Sequence, residues 1–218
     1  MKDNVSPRAR SRAQRTNDPE GTRRDILDVA TQEFAEKGFS GARVDRIAAR
    51  TKTSKRMLYY YFRGKEGLYI AVLEEAYRKI RSIEATLDLA HQPPEEALRT
   101  LVGFTFDYQN AHPEFIRLVI NENILHGAYV AQSKDIRRLN RAVINAVGEL
   151  LARGQCDGTF RPDLDPVDLH MSISALCFFN VANRATFSTI FKRDMSSRKA
   201  LAERRRQVVD LILRYVRR

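Results

Sequence analysis

The sequence predicts an all-helical protein in which a short three-helix unit precedes a larger helical domain. Three observations lead there: apolar residues recur at intervals of three and four through most of the chain, strand-like alternation is nearly absent, and positive charge collects towards the N-terminus. The 218 residues carry a net charge of +11. Residues 1–81 hold 19 Lys and Arg against 11 Asp and Glu, which leaves 19 against 16 for the remainder. Such a balance points to a polyanionic partner, nucleic acid or anionic lipid. An apolar content of 43% is enough to build a core.

The segment 1–21 reads as a disordered basic arm. It contains Pro7, Pro19 and Gly21, shows no periodicity, and places Arg8, Arg10, Arg12 and Arg15 at near-alternate positions. Two readings fit it equally: a solubilising tail, or an extended chain laid in a narrow minor groove. Order is expected from Thr22, where "TRRD" has the Ser/Thr-x-x-acid form of a capping box. Ile26, Leu27, Ala30 and Phe34 then recur at helical spacing, and Gly38 supplies a stop. A second helix spans Val44 to Arg50 with Val44, Ile47 and Ala48 inward. After a turn at residues 51–53, a third runs from about Ser54 to Tyr60 and breaks at "RGK".

Two short helices joined by a tight polar turn and braced by a longer first helix outline a helix-turn-helix unit, predicted here over residues 22–67. In such a unit the second short helix enters the major groove. The segment "TKTSKRMLYYYF", residues 51 to 62, suits that task. Its cations serve phosphates and base edges, its tyrosine hydroxyls donate to phosphates, and Leu58 turns into a small core with Ile47 and Phe34.

Residues 30 to 75 also resemble the DNA-binding segment of the TetR family of bacterial transcriptional regulators. The resemblance is carried by "FAEKGF", "DRIAAR", the "SK..LYYYF" pattern and "KEGLY"; beyond it, only the general helical layout is similar. The resemblance implies DNA contacts by Tyr59 and Tyr60 and a phosphate grip by Lys65. Tyr61 stands where a histidine is more usual, Lys52 and Thr53 replace a frequent Gly-Val, and Arg56 and Met57 replace a commonly small pair. The expected DNA-binding residues are Arg43, Arg46, Thr53, Ser54, Lys55, Arg56, Tyr59, Tyr60, Tyr61 and Lys65.

From Lys65 a stripe of Leu68, Val72, Ala76, Ile80, Ile83 and Leu87 predicts a helix to about Ala90. Further helices are expected near 95–111, 114–127, 134–153, 166–190 and 197–216. Residues 68–218 would form the second domain. It shows no metal-ligand spacing of histidines, no nucleophile elbow and no phosphate loop, so no cofactor or metal is expected. Phe104, Tyr108 and Phe115, Asn121, His126 and Tyr129, and Phe178, Asn180 and Asn183 place aromatic and amide groups at helical spacing. They read either as core packing or as the lining of an effector pocket; the resemblance implies a small-molecule effector in this region. The segment "VDLHMSISALCFFNVANRATF" is apolar nearly all round, and "RRRQVVDLILRYV" repeats an apolar face, which calls for partners on more than one side. A homodimer answers that need and matches paired half-sites on a palindromic operator.

Cys156 and Cys177 have no metal-like spacing and suit a reducing cytoplasm. The N-terminal residues lack the apolar stretch of a signal peptide, and no apolar run approaches the roughly 20 residues needed to span a bilayer. The function expected is a ligand-responsive dimeric regulator, most often a repressor, that binds duplex DNA. The alternatives are an all-helical enzyme or a DNA-binding protein without an effector.

Overall fold

The computed structural model describes residues 18–218. Among them the chain forms ten α-helices. The predicted arm lies outside the described residues apart from its last four positions, and those differ from expectation. Helix α1 (Pro19–Gly41) starts at Pro19, not at Thr22. Asp18 caps it, its Oδ1 accepting the Gly21 N–H at 2.9 Å, and Pro19 at the first position needs no donor. The Thr22 hydroxyl donates to the Asp18 carbonyl, so the "TRRD" box is not used. Gly38 interrupts α1 at φ 67° as expected, and a final turn follows to Gly41.

Helix α2 (Val44–Arg50) matches its prediction, and α3 (Lys55–Phe62) runs one turn-half further than expected. Phe62 explains the extension: it is buried one turn beyond Leu58, so both belong to the inward face of α3. Arg63 then takes a left-handed φ of 60° and ends the helix. Ile26, Ala30, Phe34, Ile47, Leu58 and Phe62 form the core of this head.

Helix α4 (Lys65–Glu84) completes it. Leu68, Tyr69, Val72 and Leu73 pack in the same cluster, as do Leu118 and Ile136 from α6 (Pro113–Ile124) and α7 (Lys134–Cys156). Two turns further along α4, Ile80 belongs to a second cluster with Tyr108, Phe115 and Ile116. The helix stops at Glu84, short of the expected Ala90. Arg153 of α7 reaches across to the carbonyls of Leu89, Ala90 and Gln92 at 2.7–2.9 Å and rewards an open path for that loop. Leu87 still packs inward, on the largest core cluster.

That cluster gathers α5 (Pro94–Ala111), α7, α8 (Pro166–Ala182) and α10 (Arg198–Val216) around Leu98, Phe106, Leu150, Ile173, Cys177 and Ile212. The long helix expected over 166–190 is broken at Asn183 (φ −105°, ψ 7°), and a short α9 (Arg184–Ile190) leaves in a new direction. The remaining helices lie within three residues of their expected ends.

The turn into α4 is tight. A Cβ on Gly67 would stand 1.9 Å from the Phe62 carbonyl oxygen, which is backbone and has no room to yield. Gly67→Ala should therefore destabilise the protein by about 1–3 kcal/mol through overpacking, against the small gain alanine brings to a helix. Thermal unfolding of the two proteins checks this; an equal or higher midpoint would refute it.

Candidate nucleic-acid interface

Helix α3 owes its position to two buried side chains four residues apart. Leu58 and Phe62 fix the inward face, so Lys55, Arg56, Tyr59 and Tyr60 must lie outward. Tyr60 is 77% exposed and Tyr59 54%, a degree unusual for aromatic rings on a folded surface. Tyr61 is half-buried and edge-on to Tyr60 at 5.5 Å, which props the outer ring. The Arg23 guanidinium lies 5.5 Å from the Phe62 ring centroid and covers its outer side.

Ser54 caps α3: its Oγ accepts the Met57 N–H at 3.2 Å. Thr53 belongs to the turn, its hydroxyl donating to the Thr51 carbonyl and its N–H to Ala48. Lys52 adopts φ 52°, the left-handed conformation that glycine takes without cost. Lys52 thus bears the strain that a Cβ brings to this conformation, with its side chain exposed.

Lys65 begins α4. Its ammonium donates to the Ser40 carbonyl at 3.3 Å and sits 4.9 Å from the Phe39 ring, tying α4 to the end of α1. Partial burial lowers its pKa from the usual lysine value. Two of its three donors remain for other partners. Arg43 precedes α2, and Arg46 is exposed on it.

Residues 43–65 contain eight Lys and Arg and a single acid, Asp45. Nothing in the sequence pattern marks that acid. Its carboxylate pairs with Lys55 across the helix-turn-helix and lies 3.9 Å from Arg43. A second unforeseen carboxylate, Glu33, is buried in α1 and accepts the Arg43 backbone N–H at 3.3 Å, which serves the start of α2. Neither is marked by periodicity, because an acid on a charged helix looks like any solvated residue until its partner is located. Of the ten expected DNA-contact residues, Arg43, Arg46, Ser54, Lys55, Arg56, Tyr59 and Tyr60 are exposed and Thr53, Tyr61 and Lys65 are half-buried, with Ser54 and Thr53 also used to build the turn.

The expected pocket residues do not share one place. Phe104, Tyr108, Phe115 and Phe178 pack in one cluster with Tyr77 and Ile80. Burial, and to a lesser degree the nearby Glu114 carboxylate, pushes the Tyr108 phenol up to about 12. Asn121 and Tyr129 belong instead to the seam between head and body. The Asn121 amide donates to the Phe34 carbonyl at 3.1 Å, and Tyr129 packs on Phe39 and Tyr69. His126 is exposed, at φ 56°, in the turn after α6. Asn183 marks the α8–α9 break, while Asn180 is buried and donates to Asn110 Oδ1 at 2.9 Å.

Two cavities matter in the C-terminal region. One of about 550 Å³ lies among α8, α9 and α10, lined by Phe179, Asn180, Phe187, Phe191 and Arg204. The other, about 120 Å³, lies between α4 and α7 with Arg81 and Glu84 beside leucine, valine and alanine. Among the described residues no group of His, Cys, Asp and Glu is arranged to hold a metal ion, and no helix is long and apolar enough to cross a membrane.

Residues 26–72 match the family described as bacterial regulatory proteins, tetR family, and residues 94–212 match the tetracyclin repressor-like C-terminal domain. The chain belongs to the tetR family. It is 36% identical over 204 residues to the HTH-type transcriptional repressor NicS of Pseudomonas putida, an alignment covering 94% of this chain and 96% of that one. It is 33% identical over 153 residues to the HTH-type transcriptional regulator RutR of Escherichia coli, covering 69% of each. A solved structure of a putative transcriptional regulator, SCO4942 of Streptomyces coelicolor, superimposes with a TM-score of 0.69 at 29% identity, over 89% of this chain and 98% of that one. Membership in the tetR family sets the enzyme alternative aside and makes the head a DNA-binding helix-turn-helix.

Asp45 holds back two cations of this tetR-family head. Removing its charge with Asp45→Asn should tighten binding to all duplexes alike, by up to about 1 kcal/mol, since exposed pairs are worth no more than that. Fluorescence anisotropy on related and unrelated duplexes reads this; a gain confined to one sequence would contradict it.

Proposed function

We propose that this chain is a homodimeric transcriptional repressor that binds a palindromic operator through α3 and is released by a small-molecule effector. The observation that carries the reading is the division of α3, which buries Leu58 and Phe62 and presents Lys55, Arg56, Tyr59 and Tyr60. Lys55 and Arg56 stand at the start of the helix, where an inserted recognition helix meets base edges. Arg43, Arg46, Lys65 and the tyrosine hydroxyls of Tyr59, Tyr60 and Tyr61 take phosphates; Thr53 and Ser54 lie in the turn beside them. The relative named as a repressor along nearly its whole length supports that direction of control.

Dimerisation is supported by α8. Leu169, Ile173, Cys177 and Asn180 face the core, yet Val167, Met171 and Phe179 on its other side are exposed. On α10, Val208 and Ile212 are buried while Leu211 and Tyr215 are exposed. An apolar helix with a second uncovered side needs a second partner. A two-fold copy supplies one and sets the separation of the two α3 helices.

Effector response is supported by the position of α4. It packs on α1 and α3 in the head and on α5 and α7 in the body. A ligand that prefers one placement of α4 thereby biases the head.

Operator selection followed by quantitative binding tests the whole reading. Arg56→Ala should cost roughly 1–3 kcal/mol at one operator position and relax the preference there; an equal loss on every sequence would make Arg56 a phosphate contact only. Met171→Glu should yield a monomer by light scattering and weaken operator binding by at least about tenfold, since one head then binds one half-site. A variant that remains dimeric would exclude this face of α8 from the interface.

A further inference from the structure

The outer side of α8 changes character from one end to the other. Val167, Met171, Ala175 and Phe179 follow at intervals of four and are all exposed, so they form one straight apolar stripe. Ala175, near its middle, is the smallest of the four and lets a second helix approach closely there. Acids gather at the start: residues 163–168 contain Asp163, Asp165 and Asp168 and no Lys or Arg. Beyond the end the sign reverses. Residues 184–199, α9 and the loop after it, contain five Lys and Arg against Asp194 alone, and Ile190 and Phe191 stand 67% and 63% exposed among them. The three acids are exposed, as are Lys192, Arg198 and Lys199. Among the described residues none of these six forms an ion pair within its own chain.

Opposite charges left unpaired at the two ends of one apolar stripe decide how two copies of this chain can meet. A parallel pairing of α8 with a second α8 sets acids on acids and cations on cations. An antiparallel pairing about Ala175 sets Met171 against Phe179 of the partner subunit, a favourable sulfur–aromatic contact. It also lays α9 near the acidic start of the partner's α8, and two-fold symmetry makes each such contact twice. We propose that α9 and the loop after it form a clasp on a second copy of this chain. Lys192, Arg198 and Lys199 pair with Asp163 and Asp168 of the partner subunit, and Ile190 and Phe191 cover Val167 of the partner subunit. Asp165 is already engaged as the cap of α8, its Oδ1 accepting the Val167 and Asp168 N–H groups. The inference deepens the reading of the chain as a homodimer and rests on it: the apolar stripe drives association, and the clasp sets its register and its choice of partner.

Sedimentation equilibrium of the full-length protein tests it. Asp168→Lys alone and Lys192→Glu alone should each weaken the dimer at least about fivefold at low salt, because each sets like charges together twice. Both changes in one chain restore opposite signs and should return the dimer to within about twofold of the native affinity. The differences should shrink at about 0.5 M salt. Single variants that dimerise like the native chain, or losses that add in the double variant, would overturn the proposal. Crosslinking decides independently of any effect of Asp168→Lys on α8 itself. On a Cys156→Ser background, Asp168→Cys and Lys192→Cys together should be joined by a short bismaleimide into a covalent dimer, whereas neither alone should be. Efficient crosslinking of either single variant would indicate the parallel pairing and overturn the clasp, as would failure of the pair to crosslink. The native chain keeps the two readings apart. If it sediments as a monomer, the homodimer and the clasp fall together; if it is a dimer indifferent to both reversals, only the clasp falls.

Discussion

Helix α4 is shared by two cores, and the rest of the molecule depends on that sharing. Its first half buries Leu68, Tyr69, Val72 and Leu73 among head residues, and its second half buries Ile80 among body residues. Each fully buried large side chain contributes about 1.5–3 kcal/mol relative to exposure. The head therefore cannot turn away from the body without uncovering several such groups. A further constraint comes from the other side, where Leu118 of α6 and Ile136 of α7 complete the head cluster. Head and body are two functional parts joined through Ala76 and Tyr77 of α4, which pack against both clusters.

A polar seam lies beside this interior and gives it direction. The Asn121 amide reaches the Phe34 carbonyl just before the Gly38 kink. Gly38 is needed there twice: its φ is 67°, and a Cβ would crowd Asn121 Oδ1 at 3.3 Å. Next to it, buried Glu122 accepts the N–H groups of Tyr129 and Val130 at 2.7 and 2.8 Å through Oε1 and so closes the turn after α6. Its Oε2 and the Tyr69 hydroxyl are both buried, and the two side chains face each other across the seam. Burial first, and the facing Glu122 charge second, raise the Tyr69 phenol so far that it stays neutral at any ordinary pH. An α4 residue and an α6 residue thus meet at the edge of the packed aromatic group of Phe34, Phe39, Tyr69 and Tyr129.

Much of the head was legible in the sequence because its signals are local. Ile47, Leu58 and Phe34 fall at helical spacing, and Ser54 stands where a cap must stand. What was not legible depends on distant partners. The end of α4 at Glu84 follows from Arg153, more than sixty residues away, binding the carbonyls of the loop. The start of α1 turned on two adequate caps in competition, and Asp18 with Pro19 outbid Thr22 because it adds a turn that costs no donor. Glu33, Asp45 and Glu122 were overlooked for one reason: a carboxylate gives the same sequence signal exposed or buried. Arg81 escaped in the same way, lying between the apolar positions of α4 whose periodicity drew the attention.

The expected pocket residues divide among several places for a related physical reason. Aromatic and amide residues at helical spacing identify the inward side of a helix, not what lies opposite. Phe104, Tyr108, Phe115 and Phe178 meet one another and fill their own space, whereas Leu139, Ala146 and Leu101 are too short to close the gap facing Arg81. Cavities form where side chains fall short of close packing, which the spacing of apolar residues along one helix does not record.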